Sequence, residues 1–268
     1  MQSSYLKVFL LCASLFIISK LEAQSKSVVI STNMGEIKIM LYDDTPKHRN
    51  SFIQLAKEGH YDGTLFYRVV KNFVIQGGSS DSKNAPAGKH IGYGSSKLTI
   101  DSEFQENRIH KKGAICAPRQ PEDINHFKMS DISQFYIVQG KVYSNEELDL
   151  LEKATNNPIK IALKKKYYLP VKDSLAVLKK TDPKAFNALL RDVKEKIAFD
   201  YAVSNKLEFT DEQRKIYTSI GGLPELDGDY TVFGEVVSGM SVINKIAALK
   251  VDKNNRPLQD VKLVILTN

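Results

Sequence analysis

The chain has 268 residues, is 42% hydrophobic and carries 38 basic against 31 acidic residues, so it is long enough for one or two packed domains and too apolar to be disordered. Its net charge of +7 is interspersed rather than gathered into one basic run, which argues against a nucleic-acid binder. Five histidines, His48, His60, His90, His110 and His126, lack the short spacings that build a metal site, and no cofactor is expected.

Lys7 precedes an apolar run from Val8 to Ile18, and Ala23 supplies the small residue that suits signal peptidase. Residues 1–23 are therefore expected to be an export signal, with an exported, periplasmic or secreted mature chain. The run falls short of the roughly twenty residues that span a bilayer, so no stable membrane insertion is expected once the signal is removed. Cys12 follows Leu11 and lies too early for a lipid-attachment signal. Cys116 would then be the sole thiol, leaving no intramolecular disulfide and a buried structural role.

From Ser27 the pattern SVVISTNMGEIKIMLY predicts two strands joined at Asn33-Met34-Gly35, with Glu36 and Lys38 alternating against Ile37, Ile39 and Leu41. Thr45-Pro46 supplies an N-cap and a first helical residue for a helix over about Pro46 to Glu58, stopped by Gly59. Asp62-Gly63 turns the chain into two strands, Thr64 to Val70 and Phe73 to Gln76. Ser79 to Ser96 is polar and glycine-rich and reads as a long surface loop.

Residues 141–220 change character. Ser144 with Glu147, and Thr210 with Gln213, form capping boxes, and Thr181-Asp182-Pro183 is a further helix start. Phe186, Leu189, Leu190, Val193, Ile197 and Tyr201 keep a helical period. This predicts an inserted helical subdomain with sixteen basic and twelve acidic residues. Lys164-Lys165-Lys166 reads as a solvated helix face, with a docking spot as the less common alternative. The C-terminal NRPLQDVKLVILTN supplies a last strand.

The chemistry sits between Phe66 and Gly78, in FYRVVKNFVIQGG. Arg68 is a permanent cation with donors in a fixed plane: a poor base, but a good electrostatic clamp. Phe73 offers an apolar wall, and the carbonyl oxygen of Gln76 can hold a guanidinium. An isolated arginine on a strand is more often a snorkelling surface residue. Here the run closely resembles the signature of the cyclophilin peptidyl-prolyl isomerases, as do NSFIQLAKEGHYDG (Asn50 to Gly63), SQFYIVQG (Ser133 to Gly140) and LDGDYTVFGEVVSGMSVINKI (Leu226 to Ile246), in the family's order.

The resemblance implies a mainly β fold, a closed antiparallel barrel capped by helices, formed by residues 27–140 and 221–268 and interrupted by the helical insertion at 141–220. It implies catalysis of prolyl cis/trans isomerisation in proline-containing unfolded or exported polypeptides. Arg68, Phe73 and Gln76 would be catalytic, with Gln76 fixing Arg68. Phe73, Val74, Tyr136 and Leu226 would surround the proline ring, Pro118 would be a further substrate-binding residue, Arg119 and Gln134 would meet the substrate backbone, and Tyr230 would stand at the rim where many relatives carry histidine. Several positions depart from the pattern: Tyr67 for histidine, Pro118-Arg119 for alanine-asparagine, Ile132 for glycine, and Glu225 where relatives that bind cyclosporin tightly carry tryptophan. A different class of function, a chaperone or binding module that grips clients with the insertion, is the alternative to catalysis.

Overall fold

The structure is a computed structural model that describes residues 27–93 and 98–267; the expected export signal and Cys12 lie outside the described residues. Strands β1 (Ser27–Thr32), β2 (Gly35–Leu41), β3 (Thr64–Val69), β4 (Val74–Gly77), β6 (Ala114–Cys116), β8 (Phe135–Val138), β9 (Val232–Ser238) and β10 (Lys262–Thr267) close an antiparallel barrel in the order β1-β10-β3-β4-β8-β6-β9-β2. Two short strands, β5 (Thr99–Ile100) and β7 (Ser130–Asp131), pair outside it. The period of two along each strand sends Val28 and Ile30, Ile37 and Ile39, Phe135 and Ile137, and Leu263 and Ile265 into one core.

Helix α1 (Pro46–Lys57) packs Phe52 against the rings of Tyr61, Phe135 and Phe233, and α6 (Met240–Ala247) buries Val242, Ile243 and Ile246 in the same core. The start of α1 differs from its sequence signature. Thr45 occupies the N-cap position, yet its hydroxyl caps nothing and is buried without a hydrogen-bond partner among the described residues. Glu103 does the capping from a distant loop: its carboxylate accepts from the backbone N–H groups of Lys47 and His48 at 3.0 and 2.9 Å.

The insertion is helical: α2 (Asn145–Tyr167), α3 (Lys172–Thr181), α4 (Pro183–Ala202) and α5 (Asp211–Ser219). Its helix starts follow local chemistry, with both capping boxes formed and the Asp182 side chain accepting from Lys184 and Ala185 N–H. The chain leaves and returns at one point, where Lys141 and Gly222 exchange backbone hydrogen bonds. A Cβ on Gly222 would lie 2.3 Å from the His110 carbonyl oxygen and 2.7 Å from the Tyr217 ring, so only glycine fits there.

The insertion has two parts. Its root shares a small core with the barrel: Leu148, Phe209 and Tyr217 bury themselves against Ile109, with Tyr143, Leu151, Leu207 and Ile216 around them. Asn156 ties α2 to the returning chain, donating to the Leu207 carbonyl at 2.7 Å and accepting from its N–H at 2.8 Å. Beyond Asn156 burial is sparse, with Leu175 and Val193 the buried apolar side chains of α3 and α4. Among the described residues no helix is long and apolar enough to cross a membrane.

Candidate active site

A β-bulge aims the arginine. In the β3–β4 ladder Phe66 faces Gly77 and Arg68 faces Gln76, so β3 spends one residue more than β4 between these pairs. Phe66 and Val69, three positions apart, therefore both point into the core. Strict alternation would have put Arg68 on the same face as Phe66; the extra residue reverses the parity and sends Arg68 outward. Val74 and Gln76 on β4, and Tyr136 on β8, follow the ordinary period and share that outer face, while Ile75 and Ile137 turn inward.

These side chains line a cleft of about 240 Å³ with Phe73, Pro118, Arg119, Leu226 and Tyr230. That is below the roughly 300–1,000 Å³ of drug-sized sites and suits a single ring with its peptide flanks. The guanidinium of Arg68 lies 5.5 Å from the Phe73 ring centroid. Among the described residues it makes no ion pair or side-chain hydrogen bond, which leaves its donors for a ligand. A second hollow, of about 300 Å³, lies on the other side of Arg68 between Lys89, His90, Lys253 and Arg256. Tyr67 and Ile91 also line it, but most of its wall is polar or cationic.

Nine of the ten residues singled out from the sequence meet in the cleft; Gln134 does not line it. Gln134 is buried behind Gln76, where its carbonyl oxygen accepts from the Tyr67 hydroxyl and its amide donates to Asp131 Oδ2 at 2.9 Å and to the Gly92 carbonyl at 3.3 Å. Both ends of the side chain are thus engaged within the protein, behind the residues that line the cleft. Gln76 also differs from expectation. It stands across from Arg68, but its amide nitrogen donates to Tyr67 Oη at 2.6 Å, and no Gln76–Arg68 hydrogen bond forms among the described residues. Tyr67, noted in the sequence only as a departure, thus joins Gln76 to Gln134. Burial raises its hydroxyl well above the ordinary tyrosine range and keeps it a donor.

Arg119 lines the cleft with its donors already engaged, Nε to the Asp229 carbonyl at 2.7 Å and Nη2 to Glu122 at 3.1 Å, and its guanidinium stacks over Tyr230. Cys116 is fully buried beneath the site, and burial pushes its thiol well above the usual range. No group of three or more His, Cys, Asp or Glu that could hold a metal occurs among the described residues.

Barrel and cleft together define a prolyl-isomerase architecture. The family model for cyclophilin type peptidyl-prolyl cis-trans isomerases matches residues 27–157 and 202–268, so the chain belongs to the cyclophilin-type peptidyl-prolyl cis-trans isomerases. A protein of Staphylococcus aureus (strain USA300) named as a peptidyl-prolyl cis-trans isomerase is 27% identical over 235 residues, 87% of each chain. A Streptococcus pyogenes protein named as a bifunctional phosphatase/peptidyl-prolyl cis-trans isomerase is 27% identical over 237 residues; these cover 87% of this chain and 37% of that longer relative. The crystal structure of a Cryptosporidium parvum cyclophilin type isomerase, solved in the presence of the dipeptide Ala-Pro, is 19% identical, covers 90% of this chain and 98% of that one, and has a TM-score of 0.49. The family match skips 158–201, the outer part of the insertion.

Proposed function

We propose that this cyclophilin-type isomerase turns prolyl bonds of polypeptides that fold after export, and that Arg68 supplies the catalytic interaction. A prolyl peptide bond crosses between isomers over a barrier of about 18–20 kcal/mol that is mostly amide resonance, and the uncatalysed step takes tens of seconds or longer. No covalent step is needed. An enzyme has to favour the twisted state, in which the nitrogen lone pair has left conjugation and can accept a hydrogen bond.

In this reading the proline ring rests against Phe73, Val74, Tyr136 and Leu226, and the acyl side rotates above it. Arg68 donates toward the prolyl nitrogen or the substrate carbonyl, more strongly in the twisted state than in the planar one, so the interaction lowers the barrier rather than only binding substrate. A charge-assisted hydrogen bond of about 1.5–3 kcal/mol made only in that state is worth roughly ten- to 150-fold in rate. The observation that carries the proposal is a guanidinium with no protein partner for its donors among the described residues, standing at the edge of an apolar slot. A pure binding module would gain little from so poised a cation beside an apolar slot. Support for the export role comes from the signal pattern at residues 1–23.

The test is the cis/trans exchange rate of an Ala-Pro peptide by NMR exchange spectroscopy, with the mature chain and with Arg68→Ala. Fast exchange that falls at least tenfold in the variant is expected. Equal exchange in both proteins refutes the role of Arg68, and no exchange in either refutes the catalytic reading of this cleft. Export is tested separately, by fractionating cells that express the full chain; retention in the cytoplasm refutes that part.

A further inference from the structure

Buried polar groups connect the insertion to the floor of the cleft. Tyr217, on α5, is fully buried, and its hydroxyl donates to Asp227 Oδ2. The other carboxylate oxygen of Asp227 accepts from the His110 backbone N–H at 2.8 Å and lies 2.9 Å from His110 Nδ1. His110 is itself fully buried, and its Nε2 lies 3.0 Å from the Tyr136 hydroxyl, with the two rings stacked 6.2 Å apart. Tyr136 lines the cleft. A carboxylate only accepts, so the Asp227 contact requires a proton on His110 Nδ1; in the neutral tautomer this leaves Nε2 as an acceptor for the Tyr136 hydroxyl. Tyr217 and His110 both donate to Asp227, and the Tyr136 hydroxyl stands between His110 Nε2 and the Cys116 thiol.

A second contact from the same root reaches the opposite side of the cleft wall. The hydroxyl of Tyr143, just before α2, donates to Glu225 Oε2 at 3.0 Å. Glu225 and Asp227 flank Leu226, which lines the cleft. Two tyrosines of the insertion thus hold the residues on either side of one pocket wall, and one of them also reaches the pocket floor.

We infer that the insertion is a positioning element of the prolyl site: Tyr217, acting through Asp227 and His110, fixes the Tyr136 ring and the Leu226 wall against which the proline ring is seated. The inference rests on the reading of this cleft as the proline site. Buried, fully paired hydrogen-bond strings lock one geometry, because a broken link leaves a desolvated polar group unpaired. Tyr217 touches no substrate and donates nothing to the reaction. Its effect falls on how well the seat is formed, hence on KM, while Arg68 and the chemical step are left as they are.

Two measurements on the whole chain test this. The first is the ¹⁵N spectrum of the His110 imidazole, which needs no substrate. A protonated Nδ1 and a bare Nε2 are expected in the wild type, with the pattern changed in Asp227→Asn; a proton on Nε2 in the neutral wild-type ring overturns the string. The second is the separation of kcat and KM for an Ala-Pro peptide in Tyr217→Phe, which keeps the buried ring and removes only the hydroxyl. KM is expected to rise about three- to tenfold with kcat within about twofold, the size of one lost buried hydrogen bond. Unchanged KM in Tyr217→Phe together with loss in Tyr217→Ala reduces Tyr217 to packing and overturns the inference. An inactive wild type refutes the prolyl reading instead, so the two failures are separable.

Discussion

Glu103 gives a prediction whose size can be worked from the structure. Its carboxylate accepts from two backbone N–H groups at the start of α1 and lies 2.7 Å from His48 Nδ1, with His48 only 1% exposed. Replacing it by alanine removes a helix cap, about 0.5–2 kcal/mol, and leaves the buried His48 donor unpaired, about 1–3 kcal/mol. A loss of about 2–4 kcal/mol lowers the melting temperature of a chain this size by roughly 5–12 °C. Acidification adds a signature. Burial by itself would raise the Glu103 carboxyl, but the hydrogen bonds from His48 and Lys47 outweigh it and hold it below the ordinary value. Burial, opposed by Glu103, also holds His48 below its ordinary value, and among the described residues its Nε2 has no partner to receive a proton's hydrogen bond.

Both folded pKa values are depressed, so both contributions to stability are present at high pH and lost on acidification. His48 contributes as pH falls below its unfolded value of 6.5, and Glu103 as pH falls below 4.5. Glu103→Gln removes the lower step and, by withdrawing the charge that favours His48 protonation, steepens the upper one. Thermal melts of wild type, Glu103→Ala and Glu103→Gln at pH 7.5, about 5.5 and about 4 check this. A Glu103→Ala melt within about 2 °C of wild type at neutral pH refutes the capping account.

Arg68→Lys keeps the charge but loses the planar fork, and Ala-Pro exchange is expected to fall about tenfold or more; full activity would show that charge alone suffices. Excising residues 158–201 with a short linker spares the root core and the Asn156–Leu207 hydrogen bonds, so the shortened chain is expected to fold and to keep peptide exchange within about twofold. Excising 141–220 removes Leu148 and Tyr217 and is expected to give aggregated protein, as seen by gel filtration; a soluble, active product would show the root to be dispensable. Cys116, buried and with its thiol held protonated, is expected to react with a thiol reagent only at the rate of unfolding, and faster labelling in native buffer would refute its burial. Cyclosporin is expected to inhibit weakly because Tyr143 holds the Glu225 carboxylate where tight-binding relatives carry an indole; nanomolar inhibition would contradict this.

Local chemistry was legible in the sequence. The hairpin at Asn33-Met34-Gly35, the capping boxes at Ser144 and Thr210 and the Asp182 cap are made between residues within a few positions of one another, so the local pattern is enough to specify them. The residues around the cleft were read from motif resemblance, which carries tertiary information that no local rule contains. Where the reading had to foresee a distant partner it fell short. Thr45 looked like the cap of α1, but the closed barrel brings Glu103 to that helix end, where a full negative charge meets the positive end of the helix dipole. The motif sets Gln76 beside Arg68 and the resemblance turns Gln134 toward substrate, while the fold hydrogen-bonds both to Tyr67.

The sequence by itself determined the first hairpin, the strands around Arg68, the last strand and the helix starts of the insertion, because periodicity and caps act over a few residues, and it brought the arginine, the aromatic wall and the glutamine into one run. Tertiary structure decided which way they face. The bulge that sends Arg68 outward exists only in the register between β3 and β4. The string from Tyr217 to Tyr136 likewise exists only because Gly140, Gly221 and Gly222 let the insertion return against the strand carrying the cleft. Packing chooses these partners: His110 and Asp227 lie 117 residues apart, and nothing in the local pattern around His110, Asp227 or Tyr217 announces the string.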